Sequence, residues 1–253
     1  MCLLIALFQV VEGAPLLIAA NRDELYSRPA VPMTVLGDHD PRVLGGRDEV
    51  AGGTWLAVNE HGVVAALTNQ PAFEGRDPGK RSRGELPLAF TAYRTAAQAV
   101  TAVSSELDPS AYNPCWMLVG DRDALFSVGL AGGGKPEVTR LPPGSHVLEN
   151  QPLGTPTAKT AQVMRMVAET RATRTAVAAA DSLATILSDH RPAGPTGLSA
   201  ACVHTPAYGT RSAMIVTIPE AGSPALRVAG GPPCQAAFED ATSLWASRGA
   251  ARR

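Results

Sequence analysis

The sequence predicts an α+β chain of two mainly antiparallel sheets stacked face to face, with helices on both outer faces, in four layers. Short apolar runs come in pairs separated by two- or three-residue turns, as antiparallel hairpins do. Segments with apolar residues at helical spacing fall between those pairs. The resulting order is strands, helices, strands, helices, strands, helix, which leaves helical pairs to cover the sheets. At 253 residues the chain can bury roughly three-quarters of its extended surface. One domain over 1–253 is therefore expected, with no need of disulfides or metal.

The elements follow in order. Cys2 to Val11 and Pro15 to Ala20 are apolar runs joined by Glu12-Gly13-Ala14, a hairpin. Arg28 to Gly53 is polar and Gly-rich and is expected as a connection. Thr54 to Asn59 and Gly62 to Thr68 flank Glu60-His61, a second hairpin. The loop from Pro71 to Gly84 precedes a helical stretch, Glu85 to Leu107, ended by Asp108-Pro109. Cys115 to Gly120 and Ala124 to Leu130 form a hairpin around Asp121-Arg122-Asp123. Val138 to Leu141 and His146 to Leu148 read as short strands, and Thr157 to Thr170 and Arg174 to Ser188 as helices. Ser199 to His204, Arg211 to Pro219 and Leu226 to Val228 read as strands. A closing helix over Gln235 to Ala246 would put Phe238, Leu244 and Trp245 near one face.

Composition narrows the function classes. Hydrophobic residues make up 45% and charged residues 18%, with a net charge of −1. That balance gives no electrostatic reason to expect nucleic acid or an anionic membrane as partner. The basic end, Arg248 to Arg253, is too short to alter this and reads as a frayed tail. No stretch approaches the ~20 apolar residues of a membrane span, and the apolar start lacks a basic leader, so a cytoplasmic location is expected. The four cysteines, Cys2, Cys115, Cys202 and Cys234, show no pair at metal-ligand spacing. The five histidines show no metal motif, and His204, beside Val203 in an apolar run, is expected in the core. Cys202 is expected to pack. No metal and no cofactor is expected, and the partner is a small-molecule substrate. Oligomeric state is left open.

The candidate chemistry starts at Met1-Cys2. Removal of Met1 before a small second residue would leave a thiol and a free α-amine on one residue. The amine, with a pKa of about 7.7–8.0 against about 8.5 for the thiol, can take the thiol proton. The competing reading is a small apolar residue opening a strand. Asn21-Arg22-Asp23-Glu24 is placed where the second apolar strand is expected to stop, so Asp23 could anchor the Cys2 amine and Arg22 could steady a thiolate; a solvated turn with a local Arg–Asp pair is the alternative. Asn69 and Asn150 each belong to an Asn-Gln-Pro segment ending a strand, and a fixed asparagine amide suits an oxyanion donor. Such segments also simply end strands. Gly45-Gly46-Arg47-Asp48 and Gly52-Gly53-Thr54-Trp55 add a second Arg–Asp couple, without the context of a phosphate loop. Arg211 opens a strong apolar strand, either to bind substrate or steady a thiolate or simply as a strand-edge cation.

Together these pieces resemble the NRDE family of transport and Golgi organisation protein homologues. They are Met1-Cys2, Asn21-Arg22-Asp23-Glu24, Gly45-Gly46-Arg47-Asp48, Gly53-Thr54-Trp55-Leu56, Ser82-Arg83-Gly84-Glu85-Leu86 and Tyr208-Gly209-Thr210-Arg211. More distantly, the chain is similar to the choloylglycine hydrolase and penicillin V acylase family of N-terminal nucleophile (Ntn) enzymes. That resemblance implies an αββα Ntn hydrolase-like sandwich with Cys2 as nucleophile and base and Asp23 as amine anchor. It also implies Asn69 and Asn150 as oxyanion and amine-binding asparagines and Arg211 as a late arginine. Asn21, Arg22, Arg47 and Trp55 are expected to bind substrate. Those acylases carry Arg-Asn-Met-Asp where this chain has Ala20-Asn21-Arg22-Asp23, so Arg22 is shifted by two positions, which on a strand keeps the same face.

The function expected from these residues is N-terminal cysteine hydrolysis or acyl transfer on a small amide- or ester-like substrate through an acyl-Cys2 intermediate. A non-catalytic scaffold for a haem-like, acyl or CoA-linked ligand is the alternative.

Overall fold

A computed structural model describes residues 3–70, 76–131, 133–170 and 175–246. Cys2, part of the loop from Pro71 to Gly84 and the basic tail lie outside the described residues. The strands form two antiparallel sheets. One has six strands in the order β10-β1-β2-β11-β12-β13: Gly144–Leu148, Leu3–Val11, Ala14–Leu25, Tyr208–Ile218, Ala225–Ala229 and Glu239–Asp240. The other has seven in chain order: β3 (Ala30–Gly37), β4 (Val43–Asp48), β5 (Leu56–Asn59), β6 (Val64–Asn69), β7 (Cys115–Gly120), β8 (Leu125–Leu130) and β9 (Glu137–Arg140).

Alternation along each strand sorts the side chains into three cores. Leu4, Ile18, Met214 and Leu226 of the first sheet meet Leu44, Leu56, Val64 and Leu118 of the second between the sheets. The opposite face of the first sheet, with Leu3, Ile5, Leu17 and Ile215, is covered by α3 (Ala158–Thr170) and α4 (Ala176–Leu187). The outer face of the second, with Leu67, Met117 and Val128, is covered by α1 (Glu85–Phe90) and α2 (Ala96–Glu106). This is the expected four-layer αββα sandwich. A fully buried leucine or isoleucine contributes about 2 kcal/mol by leaving water, and truncating one such as Leu4 costs about 2–5 kcal/mol.

Several elements differ from expectation. The second strand does not stop before Asn21 but continues to Leu25, paired with β11 from Leu16 to Leu25. It can do so because each polar side chain has a partner. Asn21 donates to the carbonyls of Leu187 and Ala201 at 2.9 and 2.8 Å, Arg22 binds Asp48, and Asp23 accepts from Thr210. The connection from Arg28 to Gly53 contains β3 and β4; every residue of β3 is half-buried, so no apolar alternation marks it. The stretch from Glu85 to Leu107 is two helices, because Thr91 ends α1 and the Thr95 hydroxyl caps α2 by accepting from Gln98 N–H.

Among the described residues Ser199 to His204 forms no strand and makes one isolated bridge, His204 to Gly209. The closing helix is also absent. β13 pairs with β12, and the Asp240 carboxylate accepts from Thr242 N–H at 2.8 Å, turning the chain into a single 3₁₀ turn. Phe238 consequently packs on the helical side of the first sheet, while Leu244 and Trp245 pack between the sheets. Among the described residues no helix is long and apolar enough to cross a membrane.

Candidate active site

β1 and β2 pair with Leu3 opposite Asn21 and Leu4 opposite Ala20. The start of β1 thus enters the sheet beside the Asn-Arg-Asp-Glu segment of β2. In that segment Arg22 points between the sheets, and Asn21 and Asp23 point toward the helical layer.

Arg22 is 4% exposed. It donates to Asp48 Oδ2 at 3.2 Å, and its guanidinium carbon lies 4.5 Å from the Trp55 ring centroid. Arg28 grips the same carboxylate at 2.6 and 2.9 Å. Partial burial works against the Asp48 charge. Hydrogen bonds from Arg28 and the Ala51 N–H, with both guanidinium charges, outweigh it and hold that carboxyl below the usual range. The glycines of the neighbouring motifs make room for this set. A Cβ on Gly46 would fall 2.1 Å from the Trp55 ring, and one on Gly53 would fall 2.7 Å from the Gly84 Cα. Thr54 N–H donates to the Gly84 carbonyl at 2.9 Å, which locks the two loops together.

Asp23 is buried at 3% exposure and accepts from Thr210 Oγ1 at 2.6 Å. Loss of hydration raises its pKa to about 6, against the lowering charge of Lys159 and with a smaller raising contribution from Glu149. Lys159, in the first turn of α3, is itself 3% exposed, and its Nζ has no hydrogen-bond partner among the described residues. A buried lysine near the buried Asp23 was not foreseen, since a lone lysine after Ala158 reads as solvated.

The two strand-ending asparagines meet. Asn150 Nδ2 donates to the main-chain carbonyl of Asn69, and Asn150 Oδ1 has no hydrogen-bond partner among the described residues. Thr68 Oγ1 donates to the Glu149 carbonyl at 2.7 Å, so both ends are tied across the gap between sheets.

A cleft of about 340 Å³ opens here, lined by Arg22, Asp23, Trp55, Asn69, Arg76 and Arg83 among others. The structure therefore brings Arg22, Asp23, Trp55, Asn69 and Asn150 together. It does not bring Arg47 or Arg211 to the cleft. Arg47 is exposed and donates to the Val35 carbonyl at 3.1 Å. Arg211 lies in the register shift between Thr210 and Ser212, donating to the Tyr26 carbonyl. Asn21 is buried behind the cleft on main-chain carbonyls. Cys115 is inert by environment, burial pushing its thiol up to about 12.

A family model described as Transport and Golgi organisation 2 matches residues 1–226. The Bos taurus transport and Golgi organization protein 2 homolog is 31% identical over 235 residues, 80% of this chain and 82% of that protein. The Homo sapiens homolog is 29% identical over 234 residues, with the same coverage of 80% and 82%. The Mus musculus homolog is 36% identical over 155 residues, 57% of this chain, so that this match spans about half of the mouse protein, 53% of its length. Among solved structures, the Caenorhabditis elegans N-acylethanolamine-hydrolyzing acid amidase ortholog superposes with a TM-score of 0.60 at 12% identity, covering 85% of this chain and 92% of that one. The mutant C2A conjugated bile acid hydrolase from Clostridium perfringens gives 0.53 at 14% identity, covering 96% and 93%. At these identities the likeness establishes the fold, that of the Ntn hydrolases.

Proposed function

The chain belongs to the transport and Golgi organisation 2 family, and from that premise, together with the Asp23 cleft, we propose that it is an N-terminal cysteine hydrolase or acyl-transfer enzyme acting on small amide- or ester-like substrates. The observation that carries this reading is the register of Leu3 on Asn21. The strand that begins immediately after Cys2 enters the sheet next to Arg22 and Asp23.

With Met1 removed, the Cys2 α-amine takes the thiol proton and the thiolate attacks the substrate carbonyl carbon. Charge develops on the carbonyl oxygen, and the Asn69 side chain on the cleft wall is the donor for it. The tetrahedral intermediate collapses, the carbon–nitrogen or carbon–oxygen bond breaks, and the ammonium returns its proton to the leaving group. Water, deprotonated by the same amine, then attacks the acyl-thioester and releases the acid and the free thiol. Asp23 and Asn150 Oδ1 supply the acceptors that orient the amine. Lys159 favours the charged form of Asp23 against its burial. Arg22, fixed by Asp48 and Trp55, holds positive charge near the thiolate.

The cleft volume lies at the small end of the ~300–1,000 Å³ typical of ligand sites. Its walls carry several guanidinium groups. A compact polar substrate therefore fits better than a long acyl chain.

The test is turnover of short-chain acyl amides and esters by chain whose intact mass lacks Met1. Expected are release of acid, an acyl adduct on Cys2 in quenched samples, and loss of both in Cys2→Ala. Absence of turnover and adduct across the panel would count against the reading, and Cys2-dependent haem binding alone would point to a scaffold.

A further inference from the structure

Beside the start of β11, Cys202 and His204 come together with His190 and Cys234 from two other loops. Cys202 Sγ lies 3.7 Å from Cys234 Sγ and 3.6 Å from His204 Nε2, and His204 Nε2 lies 3.1 Å from Cys234 Sγ. A donor nitrogen of His190 falls within 4.8 Å of those of His204 and Cys234. The His190 and His204 rings meet edge to face, 6.1 Å between centroids.

We propose that Cys202, His204 and Cys234, completed by His190, bind a soft divalent metal ion of the zinc class. Tetrahedral zinc with Zn–S of about 2.3 Å and Zn–N of about 2.0–2.1 Å requires sulfur–sulfur separations of about 3.8 Å and sulfur–nitrogen separations of about 3.6 Å. The Cys202–Cys234 and Cys202–His204 separations match those values. His204 and Cys234 are closer than that and move apart slightly on binding, while the exposed His190 ring swings in. Two thiolates with two imidazoles select zinc or a similar metal over calcium or magnesium.

Sequence spacing does not mark this set, because its members come from three loops. Cys202 N–H donates to the Asp189 carbonyl at 2.9 Å, next to His190 at the end of α4. The turn at Cys234 is held there by Ser188 Oγ, which donates to the Pro233 carbonyl at 3.0 Å. His204 is exposed and faces the cysteines, which corrects its expected place in the core. Cys202 is buried but is not simply packing.

Thiolate ligation releases the thiol protons, so binding weakens as pH falls. The metal would act as a clasp. Val203 N–H donates to Thr210 Oγ1 at 2.8 Å, and Thr210 in turn holds Asp23. Pinning residues 202–204 therefore steadies the hydrogen bond on the active-site carboxylate. The metal site itself does not depend on the proposed reaction.

The experiment is titration of the full, reduced and metal-free chain with Co²⁺, read by absorbance and competed with Zn²⁺. Expected are stoichiometric binding with thiolate-to-cobalt charge-transfer absorption, displacement by Zn²⁺, and a Zn²⁺-dependent rise in Tm. The half-buried and exposed ligands are tested by Cys234→Ser and His204→Ala, which should lose or strongly reduce the charge-transfer band. Cys115→Ser should retain it. A wild-type chain with titratable thiols that shows no such band, or an unchanged band in folded Cys234→Ser, would overturn the proposal. So would a Cys202–Cys234 disulfide that, once reduced, yields a chain with no affinity for either metal.

Discussion

Thr210 donates its hydroxyl to Asp23 Oδ1 at 2.6 Å while accepting from Val203 N–H at 2.8 Å. One hydroxyl thereby fixes a buried carboxylate of β2 to the loop that precedes β11. Thr210→Val keeps the shape but removes the donor. It is expected to cost about 1–3 kcal/mol in chemical denaturation, the penalty for a buried acceptor and donor left unmade. Thr210→Ser, which retains the hydroxyl, should recover most of the loss and of any catalytic deficit.

Asp23 makes stability fall as pH rises. Its pKa of about 6 in the folded chain exceeds the ordinary 3.8, so between those values the folded state holds a proton that the unfolded state has lost. The stabilisation is complete below pH ~4 and is lost as pH passes through about 6, on the order of 3 kcal/mol. Denaturation of wild type against Asp23→Asn at a series of pH values should show that slope only in wild type. Activity should move the other way, rising through pH ~6 as the carboxylate forms.

In the proposed reaction Lys159 acts through Asp23. Lys159→Met removes the nearby positive charge and should shift the acidic limb of the pH–rate profile upward. An unchanged limb with reduced stability would mean a packing role alone.

Arg22 and Arg211 should separate cleanly. Arg22→Met removes the guanidinium held by Asp48 and Trp55 and should lower kcat/KM at least about tenfold, about 1.4 kcal/mol or more. Arg211→Ala removes a partly exposed contact to the Tyr26 carbonyl and ring, away from the cleft. It should stay within about twofold of wild type and within about 0.5 kcal/mol in stability.

Legibility in the sequence followed burial. Leu3–Val11 and Cys115–Gly120 were readable because apolar runs buried on both faces announce themselves. β3 was not, because its uniformly half-buried residues carry no alternation. The continuation of β2 through Arg22 and Asp23 was hidden because partners 26 to 187 residues away make those polar groups tolerable in a strand, among them Asp48 and Thr210. Asn69 and Asn150 were recognisable as strand-end polar groups, and Asp23 by its match to a family pattern rather than by its place in the strand. Lys159 and the Cys202–His204–Cys234 cluster were not, since only helix docking and loop packing bring those groups to their neighbours.

The most direct measurement of the central claim is competitive labelling of chain lacking Met1 with a small acyl electrophile, read by peptide mass spectrometry at all four cysteines. Cys2 should be modified first, its labelling should slow in Asp23→Asn, and Cys115 and Cys202, whose thiols burial pushes up to about 12, should stay unmodified. Labelling at Cys2 no faster than at Cys115, or a chain that retains Met1 in its native cell, would contradict an N-terminal cysteine nucleophile.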